Sequence, residues 1–196
     1  MRIPFLKKQE FRPDRRGTSQ LSKLWPTPRQ QLRLLRWLLY GVICLVGLLL
    51  QDVLLYRVNV AGGCTDLLPC LVLMIAIIQG VETGSVFALA ASVLYFFSGS
   101  APGFYVIALL TFVAVLMVVF RQAFLRRGFW TVVLCTALGM LLYELGLFAV
   151  SLFLKLTFFS RVGSVLFTVA LSLLAVPVFY PVLLAIGKLG GEAWEE

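Results

Sequence analysis

Residues 67–97 read LLPCLVLMIAIIQGVETGSVFALAASVLYFF. The fold turns on whether this run crosses a bilayer once or twice. An α-helix rises about 1.5 Å per residue and a hydrocarbon core is about 30 Å thick, so about 20 residues make one crossing. The run is 31 residues long, with Gln79, Glu82 and Gly84 interrupting it near the middle. That is long for one helix and short for two.

The flanking segments settle the parity. Upstream, 37–56 (WLLYGVICLVGLLLQDVLLY) is a clear apolar span, and downstream 103–120 (GFYVIALLTFVAVLMVVF) is another. Residues 121–127 (RQAFLRR) then carry three arginines and no acid. Residues 1–36 hold ten Lys or Arg against two acids, which accounts for the entire formal charge of +8. Loops rich in Lys and Arg stay on the cytoplasmic side. With the N-terminal arm inside, two crossings return 121–127 to the cytoplasm and one crossing does not. The sequence therefore predicts two short helices, 67–81 and 84–97. Further spans are expected at 129–154 and 162–187. The expectation is an all-α bundle of six transmembrane helices: a basic, partly disordered cytoplasmic arm (1–36), one membrane domain (37–187), and a short cytoplasmic tail (188–196).

Composition agrees with that class. The chain is 61% hydrophobic with a mean hydropathy of +0.98, against about 45–50% apolar residues in soluble domains. The apolar runs are continuous and show no period-2 alternation, which favours helices over a barrel. The arm is too long and too charged for a cleavable leader. Its FRPDRRGTSQ stretch (11–20) has the composition of a disordered segment, and from Pro28 an interfacial turn leads into the first span. The charge is expected to engage anionic lipid headgroups, not nucleic acid.

Chemistry-bearing motifs are absent from the sequence: no Walker A loop, dinucleotide fingerprint, HExxH or GxSxG. There is no histidine, which excludes a His-based metal site or triad. Cys44, Cys64, Cys70 and Cys135 lack close metal-ligand spacing. Neither enzymatic activity nor a cofactor is expected.

Polar residues in or beside the spans are the remaining candidates, because ionisable groups in a membrane are expensive. Glu144 is the deepest. It is either a proton or cation relay or partner contact, with Tyr143 and Gly139 shaping a small cavity, or a glutamate at the outer boundary of a tilted helix. Gln51, Asp52 and Glu82 fit headgroup level. Gly80 and Gly84 have GxxxG spacing, and Ala88 and Ala91 continue the strip, which suits close helix packing or a partner interface. Thr65 and Asp66 fit the cap of the incoming helix, with Pro69 in its first turn, where a missing N–H costs little. On that reading Asp66 sits at the membrane surface without a buried partner.

Three stretches resemble the family of the bacterial rod shape-determining protein MreD. They are LLQDVLLYRVNVAGGCTDLLP (49–69), IAIIQGVETGSVFALAAS (75–92) and YFFSGSAPGFYVIALL (95–110). The chain departs from the family pattern at Thr65, where a proline precedes the acid, at Tyr95, where an aspartate is usual, and at Ala91, where a glycine is usual. The resemblance implies a multi-pass scaffold of the cell-elongation and peptidoglycan-synthesis machinery in the bacterial inner membrane. It implies a fold similar to the substrate-binding subunit of energy-coupling-factor transporters. The implied partners are an MreC-like bitopic scaffold, an MreB-like filament, and a RodA-type glycosyltransferase with its penicillin-binding transpeptidase. The alternative is a vitamin-type binding subunit of such a transporter, with Asp66, Tyr95 and Glu144 lining its cavity. Candidate partner-contact or packing residues are Asp66, Pro69, Gly80, Gly84, Ala88 and Ala91.

Overall fold

The computed structural model describes residues 28–53, 65–125, 128–158 and 162–188. The arm up to residue 27, Cys64 and the tail from 189 lie outside the described residues, as do the expectations placed on them. Among the described residues there are seven helices and no strand: α1 (Pro28–Val53), α2 (Leu67–Gln79), α3 (Val81–Phe97), α4 (Tyr105–Phe124), α5 (Phe129–Phe153), α6 (Val162–Leu173) and α7 (Val176–Lys188). Residues 31–53 of α1, together with α4 and α5, are long and apolar enough to cross a membrane, and α6 with α7 makes a fourth such unit bent by 47°. This is the make-up of a multi-pass membrane protein. By length alone α2 and α3, at 13 and 17 residues, fall short.

The side-chain distribution is inverted relative to a soluble bundle. On α1 the outward stripe is Leu38, Val42, Leu45, Leu49 and Val53, all exposed and all apolar. The inward stripe, Arg36, Tyr40, Cys44 and Gln51, holds the polar groups. Its spacing of three and four residues is one face of a helix. Water would penalise such an outward face, whereas lipid tails do not.

The central element is α2. Every residue from Leu67 to Ile78 is buried, and α2 contacts each of the other six helices. A helix apolar on all sides belongs at the axis of a bundle. Close approach to it is bought with glycines on its neighbours. A Cβ on Gly47 would stand 2.4 Å from Leu71 Cδ1, and one on Gly139 would stand 3.1 Å from Leu73.

The run 67–97 folds as two helices lying against each other and joined at Gly80. Gly80 has φ +95° and ψ −179°, a backbone state that L side chains rarely adopt. The breakpoints differ slightly from the expected 81 and 84: α2 ends at Gln79 and α3 resumes at Val81. Gly84 lies inside α3, where its missing Cβ admits the α2 backbone; a Cβ there would lie 2.6 Å from the Ala76 carbonyl oxygen. We expect Gly84→Leu to destabilise the protein by about 3 kcal/mol, the upper range for overpacking, because the obstacle is backbone and cannot rotate away. Thermal unfolding in mild detergent checks this; a melting temperature equal to wild type refutes it.

The turn expected from Pro28 is the start of one continuous α-helix, Pro28–Val53, which runs into the first span. The expected span 162–187 is not one straight helix: α6 and α7 together are long and apolar enough for it, but they meet at a bend of 47°. Pro177 has no N–H to give the Leu173 carbonyl, and the chain bends between α6 and α7. Leu174 and Ala175 instead donate to Leu171 and Ser172 in tight i−3 bonds, both 3.2 Å.

Candidate functional site

A helix of 13 residues is only about 20 Å long. Its ends leave N–H and C=O groups without helical partners, and buried groups of that kind must be satisfied from elsewhere. In α2 several of them are satisfied by side chains of neighbouring helices, and this requirement assembles polar residues of the bundle.

At the head of α2 the acceptor is Gln51 on α1. Its Oε1 receives the Leu68 N–H at 2.9 Å, while its Nε2 donates to Asp66 Oδ1 at 3.5 Å. The Asp66 N–H donates to Ser172 Oγ on α6 at 3.0 Å. The Cys70 thiol lies 3.5 Å from the Ser172 carbonyl. Asp66 makes no side-chain cap to its own helix, so the expected local cap is replaced by one reaching in from α1. The Asp66 carboxyl instead accepts from Gln51 and lies within electrostatic reach of Glu144 on α5.

Burial raises the Asp66 carboxyl above the ordinary carboxylate range. Asp66 is half-buried at the cleft and has the buried Glu144 as a neighbour. Gln51, at 8% exposure, is buried in the bundle. Asp52 is exposed, and both its carboxylate oxygens accept from the Ser100 hydroxyl, at 2.9 and 3.0 Å.

Tyr95 on α3 lies against Gln51, and Tyr143 on α5 is within electrostatic reach of Tyr95, Asp66 and Glu144. Both tyrosines are buried. The Tyr143 hydroxyl and Glu144 Oε1 have no hydrogen-bond partner among the described residues. Above this cluster opens a cleft of about 480 Å³ whose polar lining includes Gln51, Asp52, Thr65, Asp66, Ser98 and Ser100. Among the described residues no group of three or more His, Cys, Asp or Glu could hold a metal ion. The chemistry available is hydrogen bonding to a small polar or cationic group.

The opposite end of α2 is held by Arg121 of α4. Its Nη1 donates to the Ile77 carbonyl, and the residue is buried at 7% exposure. Sequence reading placed Arg121 only in a cytoplasmic loop.

Of the residues singled out from the sequence, the fold brings Asp66, Glu144 and Tyr95 into one cluster. Pro69 is buried in the first turn of α2. Gly84, Ala88 and Ala91 are buried in α3, and Gly80 forms the α2–α3 turn. Ser172 was missed because a lone serine in an apolar helix carries no signal. Gln51 did carry one: it lies seven residues, two helical turns, beyond Cys44 on the inward α1 stripe.

No family model matches the chain, and no curated protein or solved structure matches it either.

Proposed function

We propose that the chain is an integral membrane scaffold of the bacterial cell-elongation machinery, of the MreD type. In this reading it crosses the inner membrane six times, with both termini in the cytoplasm, and performs no catalysis. It binds an MreC-like bitopic scaffold and works with an MreB-like filament and the RodA-type synthase pair. The observation that carries the reading is the filled axis. The centre of the bundle is occupied by α2, and the Gln51, Ser172 and Arg121 side chains are spent on holding it there. Such an interior suits a rigid body that presents surfaces to other membrane proteins. The direction of the chain also fits six crossings: Asp52, Asp66 and Ser98 meet at one cleft, while Arg36, Gln79, Gln122 and Gly187 meet at another.

A second reading has one observation in its favour. The cleft above Asp66 has the size and polarity for a small molecule, as a vitamin-type binding subunit of an energy-coupling-factor transporter requires. Purification in mild detergent separates the two. The scaffold reading expects a bitopic partner with a large outer domain to co-purify in stable ratio. Recovery of the chain alone with a stoichiometric small molecule would sink it in favour of the transporter subunit.

A further inference from the structure

The end of the bundle opposite Asp66 carries a second polar cleft, of about 400 Å³, where the α2–α3 turn meets α1, α4 and α7. Arg36 lines it. This guanidinium belongs to a residue only 8% exposed, and its Nε has no hydrogen-bond partner among the described residues. A buried cation is costly for a fold to hold and is ordinarily paired. Gln79 lines the same cleft beside Tyr40, and both ends of its side-chain amide are buried with no hydrogen-bond partner in good geometry among the described residues. The Gln122 amide stands beside Gly80, with Nε2 3.5 Å from where a Cβ would be.

The N-terminus of α3 opens on the same space. Its first helical bond is Gly84 N–H to Gly80 C=O at 2.8 Å. The N–H groups of Val81, Glu82 and Thr83 therefore precede the helical ladder, at the positive end of a 17-residue helix. Glu82 is the one carboxylate in the lining, and it is exposed on the rim.

A buried cation, unpartnered amide donors and a helix N-terminus converging on one cleft form a receptor for an oxyanion. We propose that this cleft binds a phosphate group, supplied by the headgroup of an anionic phospholipid or by free phosphate. The proposal stands apart from the scaffold reading, since it rests only on this cleft. If that reading's topology holds, the cleft faces the cytoplasmic leaflet, beside the basic arm.

The test uses the full chain in mild neutral detergent, titrated separately with phosphatidylglycerol, inorganic phosphate and diacylglycerol. The readouts are the thermal unfolding midpoint and retained lipid by native mass spectrometry. Wild type should show a saturable rise with a phosphate-bearing probe and none with diacylglycerol. Arg36→Gln should weaken that response at least about tenfold, the scale of one lost charge-assisted hydrogen bond. The double variant Lys7→Gln/Lys8→Gln removes charge from the arm and should respond as wild type does. Saturation by phosphatidylglycerol alone assigns a lipid source, and saturation by inorganic phosphate assigns a free one; either upholds the site. Gln79→Glu guards against misfolding of the Arg36 variant. It sets a carboxylate in the cleft with Arg36 intact, and should fold while losing the phosphate response. An equal response from wild type, Arg36→Gln and Gln79→Glu overturns the proposal, as does a response lost only with the arm lysines.

Discussion

Arg121→Leu is expected to destabilise the protein by about 3 kcal/mol. The group at stake is the Ile77 carbonyl. It lies in the last turn of α2, where no following helical N–H reaches it, and the chain reverses at Gly80. The Arg121 guanidinium supplies the donor. Hydrogen bonds to charged groups are worth about 1.5–3 kcal/mol, and an orphaned buried carbonyl adds its own desolvation penalty. Removing a buried arginine also relieves the cost of burying it, which holds the expected loss to about 3 kcal/mol instead of more. Arg121→Lys keeps the charge but not the planar fork and should lose about half as much. Unfolding titrations in detergent measure both. A leucine variant within about 0.5 kcal/mol of wild type, the range of an ordinary surface change, would show that Arg121 does not hold α2.

The second large effect is at the other end of the same helix. Gln51→Leu preserves much of the side-chain volume but removes the acceptor for the Leu68 N–H and the donor to Asp66. A buried N–H left without a partner costs about 1–3 kcal/mol, and the expected loss is about 2–3 kcal/mol. Asp52→Leu, one residue along, is the control. Its exposed carboxylate bonds only the Ser100 hydroxyl among the contacts observed, and about 0.5 kcal/mol is expected there. Equal losses at 51 and 52 would remove Gln51 from its place as the cap of α2. A loss confined to 51 would tie the head of the central helix to α1.

These two predictions mark where sequence reading stopped. Hydropathy identified the helical regions correctly, because a run of apolar residues in a chain this greasy has few alternatives to a helix. The break in 67–97 was also legible, since Gln79, Gly80, Glu82 and Gly84 cluster within six positions. The bend between α6 and α7 was not anticipated, although Pro177 marks it, because the apolar composition runs through the bend without change. Among the site residues, Glu144 stood out by its charge alone. Its closeness to Asp66 was expected only under the transporter-subunit alternative, since 78 positions separate them and neither carries any local mark of the other.

The amino-acid sequence by itself determined that this protein is a bundle of apolar helices with its net charge in the first 36 residues, and that the 67–97 run must break near Gly80. Those properties follow from transfer energies and backbone conformational limits, which act residue by residue. Only the tertiary structure decided that α2 is the axis, that its two ends are held by Gln51 and Arg121 of other helices, and that the Asp66 carboxyl meets Gln51 instead of capping its own helix. A short buried helix must find partners for its terminal N–H and C=O groups, and which residues supply them depends on which helices lie beside it. That choice is made by packing around Gly47, Gly84 and Gly139, where α1, α3 and α5 come close enough to α2 for the fold to close.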